Sequence, residues 1–312
     1  KIINLEQYEL NENIDDIYNF EKIEDGGNFE IFEITSKMTK ETYIGQISKL
    51  KMNKMKDYNK IQLAREVDII SQLNHPLFVK FHGYSPVNFK LSQRPVIVTE
   101  STKNGTLKDI LDQQRKKIEN PIWNETTKLI NIIGIALGMK YLHSEEIIHC
   151  FLNPSSILLD ENLYPKITNF DFVTNEYEKD NHEFNGYYPY SAPETFKSQY
   201  TKASDVYSYG MIVYEIITNK NIYENIPQYK ILSETTKGIR PEMTQDIPSS
   251  YRQLIENCWN QEPTKRPTFD AIVDILMKNN EIINENINQE EYFKFIEKVE
   301  NHQKNNKDHI IS

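Results

Sequence analysis

The sequence predicts an α+β chain in two lobes, a strand-rich one followed by a helical one. Three observations carry this. Between Tyr18 and Leu50 the apolar residues fall in a strand-like pattern around a Gly26-Gly27 turn. Beyond Asn104-Gly105 they recur at helical spacing over long stretches. The changeover lies in the segment from Glu100 to Gly105, a joint between a sheet and a set of helices with a cleft between the parts.

Residues 1–18 are polar with scattered Ile, Leu and Tyr, and read as a leader packed on the first lobe. Phe20 and Ile23, then Phe29, Ile31 and Ile34, predict a hairpin; Tyr43-Ile44-Gly45-Gln46-Ile47 predicts a third strand. Leu63, Val67 and Ile70 repeat at helical spacing, and two more strands are expected around residues 78–82 and 96–99. In the helical half, Leu129, Ile132, Ile133, Ala136, Leu137 and Tyr141 form a long apolar stripe. Residues 206–217 are apolar nearly all round, as in a helix buried at the centre of a lobe. Further helices are read over 254–259 and 269–277. The tail, 281–312, is rich in Asn and Glu. Within it Tyr292, Phe295, Ile296 and Val299 fall at i, i+3, i+4 and i+7, an amphipathic helix that docks either on this domain or on a partner.

Composition narrows the function classes. At 312 residues, 38% of them hydrophobic, the chain can bury a substantial core. A net charge of −10 argues against a nucleic-acid backbone as partner. The basic run Arg115-Lys116-Lys117 is short and reads as a solvated helix end. No apolar run reaches the length of a membrane span, and no signal-like stretch opens the chain, whose start at Lys1 reads as the edge of a fragment. Cys150 and Cys258 are far apart and lack metal-ligand spacing, which fits a reducing, cytoplasmic setting. Sequons at Asn104 and Asn124 would go unused there.

The stretch that carries chemistry runs from His149 to Asp171: His-Cys-Phe-Leu-Asn-Pro-Ser-Ser-Ile-Leu-Leu-Asp, a short turn, then Lys-Ile-Thr-Asn-Phe-Asp. It is followed by Ala192-Pro193-Glu194, Asp205-Val206-Tyr207-Ser208-Tyr209-Gly210, Cys258-Trp259 and Arg266-Pro267. Ahead of it stand Glu66 and Leu73-Asn74-His75-Pro76-Leu77-Phe78-Val79. In this order the motifs, spanning roughly residues 19 to 280, resemble the protein kinase family, and within it the tyrosine-kinase-like group. The resemblance implies a two-lobed protein kinase-like fold, with a β-rich N-lobe over 19–101 and a helical C-lobe over 102–280.

Roles follow from the same resemblance. Glu194 would pair with a buried Arg266, and Asp205 would hold the backbone of the loop at His149 from below. Ile70, Phe81, His149 and Phe170 fall where the family stacks a spine of side chains, and Glu66 sits at its ion-pairing Glu. The catalytic positions are different. Against H-R-D-L-x-x-x-N followed by D-F-G, Phe151 stands at the base and Asn153 at the loop Lys. Ser156 takes the place of the Asn, Asn169 that of the metal-binding Asp and Asp171 that of the Gly. Ser48 takes the place of the phosphate-binding Lys; Lys49 is adjacent, but neighbours on a strand face opposite sides unless a bulge intervenes. In the glycine-rich loop, Asp25 and Glu30 replace two glycines, and their charges would repel phosphate; the plain alternative for Gly26-Gly27 is a hairpin turn. Phe32 and Gln46 stand where the family sandwiches the base from above, and Leu158 is the floor. Phe32 is otherwise ordinary core. A pocket, if kept, would draw on Gly26, Gly27, Phe32, Gln46, Lys49, Thr99, Glu100, Leu158 and Asp171.

The segment between Asn169 and Glu194 would be the activation loop, with Thr174, Tyr177, Tyr187, Tyr188 and Tyr190. Cys150 stands at the Arg that receives a loop phosphate in many kinases, so Lys166 is the only weak substitute, and the plainer reading packs the tyrosines on the helical lobe. His143, His149 and Cys150 lack zinc-ligand spacing, and no base and oxyanion constellation accompanies Cys150 as a nucleophile. Kept frame and lost chemistry together imply a pseudokinase: a signalling scaffold or allosteric binding module for other proteins, with weak or absent ATP binding and no cofactor. The alternative is an atypical, low-activity protein kinase that uses ATP and magnesium through Lys49 and Asp171 to phosphorylate Ser, Thr or Tyr. Metal-independent nucleotide binding as a structural switch is a third.

Overall fold

The computed structural model describes residues 3–10, 14, 18–25, 29–175 and 188–310, and divides into two compact units, Lys1–Lys103 and Asn104–Ser312. Gly26, Gly27, Tyr177 and Tyr187 lie outside the described residues.

The first unit is an antiparallel sheet with one long helix. Its strands are β1 (Tyr18–Asp25), β2 (Phe29–Ser36), β3 (Thr42–Ser48), β4 (Phe81–Ser85) and β5 (Val96–Glu100), in the order β1-β2-β3-β5-β4. Helix α1 (Asp57–Gln72) follows β3 and buries Leu63, Glu66, Val67 and Ile70. One face of the sheet closes over a core of Ile14, Tyr18, Ile34, Ile47, Phe89, Val96 and Val98. β4 begins later than the expected strand at 78–82. Phe78 and Val79 are buried, as their apolar character demands, but lie in the connection after α1 and not in the ladder. The leader belongs to this unit: Asn4 caps a single 3-10 turn over Leu5–Tyr8, and Glu9 bridges Tyr84 on the free edge of β4.

The second unit is helical, with α2 (Leu107–Arg115), α3 (Glu125–Ser144), α4 (Lys202–Thr218), α5 (Gln228–Thr236), α6 (Ser249–Cys258), α7 (Phe269–Lys278) and α8 (Gln289–Ile310). Short strands β6 (Ile147–Ile148) and β9 (Thr174–Asn175) pair, as do β7 (Ile157–Leu159) and β8 (Pro165–Ile167). Local chemistry starts the helices where they start. Thr106 and Asp109 form a reciprocal capping box at α2, and Asn124 accepts from the Thr127 N–H at α3. α3 and α4 are buried along most of their length, as their all-round apolar character requires.

The tail docks on its own unit. Tyr292, Phe295, Ile296 and Val299 are buried, and the Tyr292 hydroxyl donates to the Leu276 carbonyl at 3.2 Å. Phe295 meets Tyr164 edge-on, while the Tyr164 hydroxyl reaches Glu291 at 2.8 Å. Gly134 on α3 leaves the room: a Cβ there would stand 2.6 Å from Pro165 and 3.0 Å from Phe295. Among the described residues no helix is long and apolar enough to cross a membrane, and no group of His, Cys, Asp and Glu has the makings of a metal site.

Candidate functional site

In the helical unit the loop from His149 to Ser156 hangs from one carboxylate. Asp205, in the first turn of α4 and 1% exposed, accepts from the backbone N–H groups of His149 (2.9 Å) and Cys150 (3.0 Å). It also meets His143 Nε2 at 2.9 Å. Cys150 sits at φ 64°, a left-handed conformation that costs an L-residue about 1–2 kcal/mol. The two charge-assisted bonds to Asp205 hold it there. The buried imidazole of His149 donates from Nε2 to the Thr168 carbonyl and accepts from the Phe151 N–H at Nδ1, which fixes its tautomer. Burial pulls its pKa below the ordinary value, and its ring packs against Phe170 at 5.4 Å.

The interior of the loop closes on itself. The Phe151 carbonyl accepts from Ser156 Oγ at 2.7 Å and from Asn153 Nδ2 at 2.8 Å. Asn153 Nδ2 also reaches Ser156 Oγ, and its Oδ1 accepts from the Ser155 N–H at 2.9 Å. Both side chains are buried. The ring of Phe151 lies 4.9 Å from that of Phe172. Asn169 adopts φ 64° and directs Nδ2 toward the Ser155 carbonyl at 3.4 Å; Asp171 is half-buried in the 3-10 turn that follows. Leu158 is half-buried in β7, opposite Lys166 and bridged to Thr106. Asp160 is a turn residue whose Oδ1 accepts from the N–H groups of Asn162 and Tyr164, and burial raises its pKa.

Below the loop a second cluster ties α4 to the chain before and after it. Arg266 grips Glu194 with two parallel bonds of 2.6 and 2.9 Å and donates further to the Asn260 and Ala203 carbonyls. Its guanidinium lies 5.1 Å from the ring of Tyr207, and that of Arg240 lies 5.0 Å from the same ring. A third cluster escaped the motif reading. The buried carboxylate of Glu215 accepts from the Tyr190 hydroxyl and from Arg115 at 2.6 Å, and Arg115 also holds Asp112. Burial raises the pKa of Glu215, against the pull of these two donors. Tyr190 is thus a buried donor, whereas Tyr188 is exposed and stacks near Phe196.

In the first unit the sheet corrects two sequence assignments. Directly opposed residues of an antiparallel pair share a face. Phe32 stands opposite Gly45, and Ile31 opposite Gln46, with Phe29 opposite Ser48. A Cβ on Gly45 would point at Ile34 and Phe89. Phe32 therefore belongs with the closed core, 6.1 Å from Phe20 and 5.8 Å from Phe89, and not on the face of Gln46 and Ser48. Ile31 is the residue that shares that face. Glu30 lies on the Phe32 side, where Lys22 at 2.8 Å and Arg94 hold it and pull its pKa to about 2. An ion pair on that side is not a charge set against a phosphate.

Ser48 is buried, and its hydroxyl accepts from the Leu50 N–H. The β2–β3 ladder runs through Ser48 without a bulge, and Lys49 beyond it is exposed. Thr99 is buried on β5; Glu100 accepts from the Lys80 N–H at 2.8 Å. Glu66 and Ile70 are buried on α1, and Phe81 is half-buried at the start of β4.

A strand-rich unit with one helix, and a helical unit whose His-led loop hangs from the central helix, make up a protein kinase fold. A family model described as protein tyrosine and serine/threonine kinase matches residues 19–276, and the chain belongs to that family. It is 36% identical over 228 residues, 72% of its length, to a probable LIM domain-containing serine/threonine-protein kinase of Dictyostelium discoideum, of which this covers 34%. To the RGS domain-containing serine/threonine-protein kinase A of the same organism it is 36% identical over 218 residues, 69% of this chain and 18% of that one. A putative serine/threonine-protein kinase/receptor of Acanthamoeba polyphaga mimivirus is 31% identical over 235 residues, 74% and 14% respectively. The chain thus spans about a third or less of the length of these relatives.

Proposed function

We propose that this domain is a pseudokinase, a protein-binding module of a signalling protein that no longer transfers phosphate. The observation that carries the reading is the closed circuit at the catalytic loop. Where the family places a carboxylate base, Phe151 offers a ring packed on Phe172, and its carbonyl takes up Ser156 and Asn153. Neither side chain has a carboxylate to offer magnesium, which prefers such hard, charged oxygen ligands. Asn169 likewise supplies only an amide, turned toward Ser155. This donor set does not fit the metal. Loss of the cation at Ser48 supports the same conclusion from the other unit. Function then lies in surfaces that other proteins recognise, in a setting we take to be the cytoplasm.

The test is a thermal-shift titration with ATP, with and without magnesium, alongside a phosphoryl-transfer assay on Ser, Thr and Tyr peptides. A flat response is expected, since a ligand stabilises only the state it binds. A second reading, an atypical low-activity kinase, is favoured by the serine/threonine-protein kinase names of the relatives and by Asp171 in the turn after Asn169. It predicts a shift that needs both ATP and magnesium, and that disappears in Asp171→Asn together with transfer. A shift that survives EDTA points instead to nucleotide held without metal.

A further inference from the structure

The leader grips the first unit at successive points. Tyr8 closes the 3-10 turn, and its hydroxyl donates to the Asp68 carboxylate on α1. Its ring meets Phe81, at the start of β4, edge-on at 6.4 Å. The next residue, Glu9, bridges Tyr84 in parallel, and the Leu10 N–H donates to the Tyr84 carbonyl at 2.8 Å. Leu10 lies over Gly83, where a Cβ would stand 2.3 Å from its Cδ2, so the sheet has a seat shaped for this side chain. β4 is the terminal strand of the sheet, and an uncovered strand edge is a liability that proteins cover or blunt. The leader covers it and ties it to the helix that carries Glu66 and Ile70.

We propose that residues 4–10 form a releasable strap across α1 and β4, and that Tyr8 is its release point, a phosphorylation site for a separate tyrosine kinase. In that step the γ-phosphoryl group of ATP passes to Tyr8 Oη, the phenolic proton leaves, and ADP departs. A hydroxyl that donates to Asp68 becomes a phosphate of nearly two negative charges facing a carboxylate. Glu6 and Glu9 add like charge on either side. Tyr8 is half-buried, and its hydroxyl meets Ser71 and Gln7 as well as Asp68. Lifting the strap takes Leu10 off the edge of the sheet core but leaves the buried members of that core packed on one another, and phosphate traps the lifted form. The inference concerns the first unit alone and stands whether or not the other unit turns over nucleotide.

The experiment treats the full chain with a broad-specificity tyrosine kinase and magnesium ATP, locates phosphate by peptide mass spectrometry, and follows amide hydrogen exchange. Phosphate is expected on Tyr8, with exchange across residues 57–72 and 81–85 rising about tenfold, the scale of one lost charge-assisted hydrogen bond, while residues 29–48, whose core loses only Leu10 of the strap, rise less. Tyr8→Glu should reproduce the rise, and adding Asp68→Lys should reverse it by restoring attraction. Should Tyr8→Glu fail to fold, Tyr8→Phe still reads the latch, because it keeps the ring and loses only the hydroxyl with its bonds, that to Asp68 among them. The inference is overturned by an unmodified Tyr8, by unchanged exchange after modification, or by Tyr8→Phe exchanging like the parent.

Discussion

The helical unit carries two polar clusters that meet at the loop from His149 to Ser156, and they are built on opposite principles. Beneath the loop, buried Asp205 and the pair of half-buried Glu194 with buried Arg266 are ionic groups engaged with the chain around them. Within the loop, Phe151, Asn153 and Ser156 are neutral and satisfied by one another. The charges that are kept hold chain to chain, which needs an ion in a place from which water is excluded. The loop side chains Phe151, Asn153 and Ser156 carry no charge at all. On the pseudokinase reading proposed above, architecture and reactivity of this family are separable, because they draw on different ionic groups.

The sharpest way to break the comparison is at Arg266. Arg266→Ala leaves Glu194 uncompensated, and loss of one partner of a buried pair is expected to cost about 3–5 kcal/mol in urea unfolding. A loss under 1 kcal/mol would put this cluster on the same footing as the loop above it. Asp205→Asn should cost about 2–3 kcal/mol, since it weakens two bonds to backbone N–H groups at a strained Cys150. Amide exchange at His149 and Cys150 is its direct readout.

Tyr190→Phe sharpens the comparison through pH. It removes a donor to Glu215, for about 1–2 kcal/mol at pH 7. The Glu215 pKa is already raised by burial, so the contribution of this carboxyl to stability is greatest below its unfolded value and falls as pH rises through the folded one. Loss of the Tyr190 donor raises the folded pKa further. The deficit of the variant should therefore be smaller at pH 4 than at pH 7, in unfolding curves measured at both. Ser156→Ala is the mildest: a neutral bond to the Phe151 carbonyl is worth about 1 kcal/mol, and Asn153 still serves that acceptor. Were it to cost as much as Arg266→Ala, the loop would be no less a structural keystone than the ion pair below it.

What the sequence disclosed, and what it hid, follows from the range of each signal. Periodicity placed α1, α3, α4 and the β1–β3 meander because those patterns are local. The motif residues Glu194, Asp205 and Arg266 could be paired in advance only through the family resemblance, since Glu194 and Arg266 lie 72 positions apart. Phe32 went wrong by one residue. With its glycines reduced to Gly26-Gly27 the loop offers no firm anchor for alignment, and a one-residue slip on a strand exchanges the two faces. The ladder decides it, by setting Ile31 and not Phe32 against Gln46. The Tyr190–Glu215–Arg115 cluster was out of reach because its members lie 25 and 100 positions apart and match no short motif. The tail helix was foreseen from its apolar stripe, but amphipathicity does not name the surface it meets.

That last point bears on how the protein is cut. The family match ends at residue 276, a natural place to stop a shortened chain. Stopping there would strip Tyr292, Phe295, Ile296 and Val299 from α3 and β8 and open an oily trench at Gly134 and Pro165. A recombinant version that keeps its solubility has to run to at least residue 299.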